Sequence, residues 1–158
     1  MKKHLLVLLL CFSFFLISCE KDYSYESLTG GIAGTWSFTE ASKGFTGEIY
    51  NSYIEQTGGV KVLHLNGKSA NSADNFQLTL YSSDNFTART YKASLYEVDF
   101  LYGGSVPLYH SNPIAGEFSV TLNSFSGTQV TGTFSGIAED SSATKKSIAS
   151  GQFFSSVK

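Results

Sequence analysis

The chain has 158 residues, with 11 basic and 13 acidic side chains and a formal net charge of −2. This weakly acidic balance lacks the basic footprint of nucleic-acid-binding proteins, so no nucleic-acid partner is predicted. Both cysteines, Cys11 and Cys19, lie near the N-terminus, so the rest of the chain has no thiol for a disulfide, a nucleophile or a thiolate metal site.

The N-terminal segment has the layout of a secretory signal that ends at a lipidated cysteine. Lys2 and Lys3 form a basic start, and an apolar run of 13 residues follows, from Leu5 to Ile17. That run is shorter than the about 20 residues of a membrane-spanning helix. We predict that residues 1–18 are a signal peptide, that Cys19 receives diacylglycerol, and that its new amine is acylated. A short uncleaved anchor and a signal cleaved elsewhere are the alternatives.

The residues directly after Cys19 carry charges. Glu20, Lys21 and Asp22 resemble the surface-export signal of Bacteroidota lipoproteins, which implies the outer leaflet of the outer membrane. The alternative is that these charges only keep the segment solvated. Residues 19–31 end in two glycines, and we interpret them as the lipidated cysteine and a flexible tether.

From residue 34 onward, short runs of β-branched and aromatic residues alternate with Gly, Ser, Asn and Asp. This pattern predicts an all-β domain over residues 32–158, folded as a single antiparallel β-sandwich or β-barrel. Apolar and polar residues alternate in two of the runs, which predicts one buried face per strand. The predicted buried sets are Trp36 with Phe38, and Phe76 with Leu78 and Leu80.

Two further strands and two turns are predicted in the first two thirds of the chain. A hydrophobic strand covers Val60–Leu65, and Asn66-Gly67 after it is typical of a hairpin turn. Another turn at Ser82–Asn85 precedes a strand over Thr87–Ala93.

The last third of the chain predicts an antiparallel meander of three strands. Phe118, Val120 and Leu122 alternate on the first strand, and Val130 and Phe134 share a face of the second. The strands are predicted over Gly116–Leu122, Gln129–Gly136 and Ser147–Val157, with a turn at Ser126-Gly127 and a polar loop over residues 139–145.

Two stretches allow more than one assignment. Apolar residues within 45–57 fit both a helical and a strand period, and we favour a strand or loop. Residues 94–113 are rich in aromatics and end in Asn112-Pro113. We interpret them as a long loop, either a functional one or a cap on the core.

The C-terminal half resembles a family of small Bacteroidota lipoproteins of unknown function. The likeness lies in Gly116–Leu122, Val130–Gly136 and Ser150–Phe153, together with the strand around Trp36 and the N-terminal signal. The resemblance implies an all-β domain on a lipid anchor, and it implies no activity and no functional residues.

A second likeness is carried by Gly34-Thr35-Trp36, which is similar to the opening of lipocalins, where the tryptophan closes the base of the barrel. The other lipocalin signatures are missing. No Thr-Asp-Tyr occurs in the middle of the chain, and Arg89 is the only arginine, so no arginine near the end can pack over Trp36. A lone core tryptophan is the simpler interpretation.

No motif for catalysis or metal binding emerges. His64 and His110 are 46 positions apart and lack zinc-site spacing. Glu97 and Asp99 are spaced to share a strand face, but that spacing alone does not indicate a glycosidase pair. No enzyme activity, cofactor or metal is therefore predicted.

We predict a membrane-anchored cell-envelope lipoprotein of the outer membrane, with a non-catalytic binding module for a glycan or an envelope protein. Tyr96, Tyr102 and Tyr109 are the candidate binding surface, because tyrosine offers an apolar face and a polar tip. Packing of these rings on a sheet edge is the alternative. A lipocalin-like carrier of a small apolar ligand and a structural envelope protein are the other candidate functions.

Overall fold

The computed structural model describes residues 34–158, which form ten β-strands and one 3₁₀ turn, Ala93–Leu95. The predictions for Cys19, Glu20, Lys21 and Asp22, for the signal peptide and for the tether over 19–31 lie outside the described residues. The strands are β1 Gly34–Glu40, β2 Lys43–Thr57, β3 Val60–Ser69, β4 Asn75–Ser82, β5 Thr90–Lys92, β6 Val98–Gly103, β7 Pro107–Ser111, β8 Phe118–Phe125, β9 Gln129–Glu139 and β10 Lys145–Ser156.

The sheet closes into an antiparallel barrel. Eight strands form the ring in the order β1-β2-β3-β4-β6-β7-β9-β10, and β10 pairs back onto β1 from Ser155 opposite Gly34 to Ile148 opposite Glu40. β8 pairs with β9, and β5 extends the sheet from β8. The all-β prediction is confirmed, and of its two architectures the barrel is the observed one.

Most of the sequence patterns give the expected buried faces. Phe76, Leu78 and Leu80 on β4 are all fully buried, as are Phe118 and Val120 on β8. The predicted C-terminal meander is confirmed because β8, β9 and β10 pair in sequence order. Residues 45–57 are confirmed as strand, within β2.

Three local predictions are wrong. Asn66-Gly67 is not a turn but lies inside β3, where Gly67 pairs with Phe76 of β4. The strand predicted over Thr87–Ala93 is reduced to β5, because Ala93 begins the 3₁₀ turn. Residues 94–113 are not one long loop, since they contain the β6–β7 hairpin.

The middle of the barrel is filled by aromatic side chains. Phe134 on β9 is 2% exposed and contacts rings from β1, β4, β6, β8 and β10. Those rings have centroids 5.6 to 6.4 Å from that of Phe134 and belong to Phe38, Phe76, Phe100, Phe118 and Phe153. These contacts join opposite walls of the barrel, so the interior is a packed core.

Because neighbouring strands are antiparallel, the connections between them lie at opposite ends of the barrel. We call the end where β1 begins, at Gly34, the proximal end. It also carries the β2–β3 turn, the segment between β4 and β6, the β8–β9 turn and the C-terminus. The opposite, distal end carries the turns β1–β2, β3–β4, β6–β7 and β9–β10. Within residues 34–158 there is no helix with the length and apolar character needed to cross a lipid bilayer.

Candidate functional site

The structure separates the tyrosines that were predicted to share one surface. Tyr96 lies at the proximal end and is 73% exposed, whereas Tyr102 on β6 is only 3% exposed. Tyr102 packs edge-on against Trp36, and its hydroxyl donates a hydrogen bond to Asp74 at 3.1 Å. Burial and this hydrogen bond raise the pKa of Tyr102. The prediction of a single Tyr96, Tyr102 and Tyr109 surface is therefore wrong.

Tyr109 is half-buried and also belongs to the core. Its ring lies edge-on to Phe38 and Phe45, with centroid distances of 6.2 and 5.7 Å. Its hydroxyl donates to Glu40 at 3.4 Å, and burial together with the charge of Glu40 raises the pKa of Tyr109. Because Tyr102 and Tyr109 are cross-strand partners in the β6–β7 hairpin, both rings enter the core from the same hairpin.

A groove of about 1220 Å³ lies instead on the outer face of β10, β1, β2 and β3. Its floor is made of small polar residues, because Thr35 and Ser37 of β1 alternate with the inward-facing Trp36. Ser37 is paired on one side with Thr46 of β2 and on the other with Gln152 of β10. Short side chains at the centre of this face leave the space that the groove occupies.

The distal end of the groove is bounded by the β3–β4 turn. Ala70 and Ser72 of this turn line the groove. The Ala70 N–H donates to the carbonyl oxygen of Thr46 at 3.1 Å, which holds the turn against β2. A backbone hydrogen bond therefore fixes this wall.

Two exposed aromatic side chains border the groove on opposite sides. Tyr50 of β2 is 51% exposed and Phe154 of β10 is 41% exposed. Strand β1 runs between them, so two strand spacings, about 10 Å, separate their strands. Tyr50 is the extra residue of a β-bulge between Ile49 and Asn51, and a bulge of this kind re-aims a side chain. Both rings offer an apolar face to a bound molecule.

The charges of the groove balance. Glu48 and Lys68 are the charged residues in its lining, and they are direct cross-strand neighbours on β2 and β3. The remaining polar side chains are hydroxyls and the amide of Gln152. Such a lining favours an uncharged ligand with many hydrogen-bonding groups over an anion or a cation.

Trp36 lies beneath the groove on the inner side of the barrel. Its indole stacks on Phe76 with centroids 4.6 Å apart and planes 6° from parallel. It also covers Gly47 and Gly67, where an added Cβ would lie 2.6 and 2.7 Å from indole atoms. Within the described part of the chain, the buried indole N–H of Trp36 has no hydrogen-bond acceptor. The tryptophan is thus a core residue that supports the groove from inside.

A smaller cavity of about 350 Å³ lies at the proximal end, beside Tyr96. There the guanidinium of Arg89 pairs with Glu97 at 2.9 Å, and the Lys92 N–H donates to the same carboxylate at 3.1 Å. Burial alone would raise the pKa of Glu97, but these two hydrogen bonds lower it. Asp99 instead accepts a hydrogen bond from a tyrosine hydroxyl at 2.7 Å. The two carboxylates therefore have separate structural partners.

Stability at alkaline pH is expected to depend on Tyr81, the hydroxyl donor to Asp99. Burial and this hydrogen bond raise the pKa of Tyr81 from 10.0 to about 12. Folding favours the neutral phenol, so its contribution to stability is complete below pH 10 and is lost as the pH rises toward 12. We expect the free energy of unfolding in urea to fall more steeply with pH in the wild type than in Tyr81→Phe. Equal pH dependence in the two proteins would contradict a role for the Tyr81 hydroxyl in alkaline stability.

Comparison with models of known protein families finds no match for this chain, and comparison with curated proteins finds no significant match. The resemblance to Bacteroidota lipoproteins therefore stays a prediction. Among residues 34–158, no group of three or more His, Cys, Asp or Glu side chains could hold a metal ion.

Proposed function

We propose that the protein is a lipid-anchored component of the outer membrane whose barrel is a non-catalytic binding module for a glycan. The observation that carries the proposal is the groove on the outer face of β10, β1, β2 and β3. Its lining combines polar side chains with apolar surface, its charges balance, and exposed aromatic rings border it on two sides. Sugar rings combine hydroxyl groups with apolar faces, and this groove offers partners for both.

The composition of the groove favours a glycan over a protein partner. The core of a protein interface is apolar and poor in charged residues. Here the centre is formed by Thr35, Ser37 and Thr46, and the aromatic residues Tyr50 and Phe154 stand apart at the margins. Hydroxyl groups at the centre suit a hydrated ligand better than they suit an apolar anchor side chain.

Binding without hydrolysis agrees with the same lining. Most glycosidases use a pair of carboxylates that flank the bond to be broken. Glu48 is the carboxylate of the groove, and its cross-strand neighbour on β3 is Lys68 rather than a second acid. The groove therefore has the hydrogen-bonding groups of a binding site without the second carboxylate of a hydrolase.

The anchor in this proposal rests on the N-terminal sequence. A basic start, a short apolar run and Cys19 form the lipoprotein signal, and Glu20, Lys21 and Asp22 support export to the cell surface. A binding module at the cell surface would meet glycans outside the cell.

A lipocalin-like carrier is supported less well, although the fold is a barrel. A carrier needs space inside the barrel for its ligand, and the ring of Phe134 occupies the middle of this barrel. A small apolar molecule would have to displace these packed aromatic rings.

The test is glycan-array binding by the purified protein, followed by titration of each retained oligosaccharide. We expect Tyr50→Ala and Phe154→Ala each to weaken binding by about tenfold or more, or ~1.4 kcal/mol, which is typical of an aromatic residue that carries binding energy. Thermal unfolding of each variant shows whether its fold is intact.

Tyr96→Ala is the matched control, because Tyr96 is also an exposed tyrosine but lies outside the groove. It should bind as tightly as the wild type. Retention of no glycan, or equal affinities for all three variants and the wild type, would contradict the proposal.

A further inference from the structure

An exposed apolar patch lies at the proximal end of the barrel, away from the glycan groove. Val60, Leu95 and Tyr96 are 36%, 64% and 73% exposed, and we call these three residues the end patch. Val60 follows the β2–β3 turn, and Val60 and Tyr96 line the same small cavity. Leu95 is the last residue of the 3₁₀ turn, and Tyr96 follows it directly.

Tyr96 has a backbone conformation that tyrosine rarely adopts. Its φ and ψ angles are 57° and 27°, in the left-handed region. A bulky side chain there costs about 1–3 kcal/mol, and such strain is concentrated at functional sites. The conformation is held by a 2.8 Å hydrogen bond from the Tyr96 N–H to the Ala93 carbonyl and a 3.1 Å bond between Glu97 and Lys92. The turn therefore presents a large ring to solvent where glycine or asparagine would be unstrained.

The position of the patch indicates what covers it. β1 begins at the proximal end, so the N-terminal segment that contains Cys19 joins the barrel at the same end as the patch. Fourteen residues separate Cys19 from Gly34, and at ~3.5 Å per residue the barrel stays within about 50 Å of the lipid. Tethering at this range keeps the local concentration of membrane surface high, so even a weak contact is populated.

The chemistry of the patch fits the interface of a lipid bilayer. Tyrosine rings sit at the level of the headgroups, with the apolar face inward and the hydroxyl in water. The transfer of valine and leucine side chains from water to the acyl region is favourable. Arg89, which lines the cavity beside Tyr96, is already paired with Glu97, so the contact with lipid rests on the apolar side chains of the patch.

We propose that the end patch of Val60, Leu95 and Tyr96 seats the barrel on the surface of the membrane to which Cys19 anchors it. This inference rests on the lipid anchor of the proposed function. Contact at the proximal end leaves the outer face of β10, β1, β2 and β3 at the side of the barrel, where the groove stays open to an external glycan.

The experiment uses the full-length acylated protein in phosphatidylcholine vesicles whose lipids are brominated near the headgroup. Trp36 is the sole tryptophan and is 2% exposed, so it gives a constant background. Tyr96→Trp adds a reporter to the patch. Val106→Trp is the matched control, because Val106 is 60% exposed but lies in the β6–β7 turn at the distal end. We expect brominated lipid to remove most of the added fluorescence of Tyr96→Trp and little of that of Val106→Trp.

Flotation of the same vesicles separates failure of the inference from failure of the anchor. If the wild-type protein floats with the vesicles and Cys19→Ser does not, and if Tyr96→Trp is selectively quenched, both the anchor and the membrane seat are supported. Flotation with equal quenching of Tyr96→Trp and Val106→Trp would overturn the membrane seat and leave the anchor standing, and the patch would then be free for a protein partner. Failure of the wild type to float would overturn the anchor and, with it, the seat.

Discussion

Phe134→Ala is expected to lower the free energy of unfolding by about 3–5 kcal/mol, the range for removing a large aromatic side chain from a packed core. The ring is 2% exposed and contacts aromatic rings from five other strands. These contacts join opposite walls of the barrel, so no single wall can move inward to close the space. Urea unfolding followed by circular dichroism measures the loss.

Phe154→Ala is the matched control for this substitution. The same chemical change is made on the outward side of β10, at the border of the groove, where the ring is 41% exposed. We expect its free energy of unfolding to fall by only about 1 kcal/mol, the typical loss for a single substitution, because the ring is partly exposed. A similarly small loss for Phe134→Ala would contradict the packed interior and would favour the carrier function.

The space left by Phe134→Ala gives a second readout. An engineered apolar cavity stays dry and binds benzene-sized molecules, and a ligand that binds the folded state raises its stability. Benzene should therefore raise the unfolding midpoint of Phe134→Ala and leave the midpoint of the wild type unchanged. Stabilisation of the wild type by benzene would indicate room in the barrel that the packing of Phe134 does not leave.

The strands were predictable because their side chains alternate with a period of two. Phe76, Leu78 and Leu80 give the inward face of β4 without any tertiary information. The choice between barrel and sandwich could not be predicted from local patterns of this kind. It depends on the pairing of Gly34 with Ser155, a contact across almost the whole described chain that leaves no local pattern.

The failed tyrosine surface had a signal against it in the sequence. Val98, Phe100 and Tyr102 occupy alternate positions with Asp99 between the first two, which fits a strand with one buried face, although Leu101 breaks the alternation of apolar and polar residues. All three are now found buried on β6. The aromatic residues at alternate positions of β6 point into the core, so richness in aromatic residues alone does not indicate a binding surface.

The groove could not be found by motif. Its residues come from β1, β2, β3 and β10, and each strand contributes ordinary outward-facing Thr, Ser, Glu, Lys or Gln. The one local signal is an aromatic residue at an outward position, as with Phe154 between the inward Phe153 and Ser155. Such a residue becomes informative only when the fold shows which other exposed ring lies across from it.

The wrong turn at Asn66-Gly67 has a physical reason that extends to β2. A glycine after asparagine is typical of a hairpin, but here Gly67 is inside a strand because the Trp36 indole lies against its backbone. A Cβ on Gly67 would lie 2.7 Å from Nε1 of that indole. Gly47 on β2 has the same neighbour, so the two glycines together make the site for one tryptophan ring.

Gly47→Ala is accordingly expected to destabilise the fold by about 1–3 kcal/mol, as overpacking of a core does. The new Cβ would lie 1.9 Å from the carbonyl oxygen of Lys68 and 2.6 Å from Cζ2 of Trp36. One of these contacts is with backbone, so a side-chain rotation cannot relieve it, and β2 and β3 must move apart. Denaturant midpoints measure the loss, and the fluorescence of Trp36 reports the displacement of the ring.

Gly44→Ala, three positions earlier in the same strand, is the control that separates overpacking from a general effect of glycine. A Cβ there would meet no atom within 4 Å. We expect this variant to gain about 0.4–1 kcal/mol, because alanine restricts the unfolded chain, and to leave the Trp36 emission unchanged. If both variants lost stability equally, the site between Gly47, Gly67 and Trp36 would not be tight. The indole would then have room to move, and the floor of the groove above it would not be held from inside.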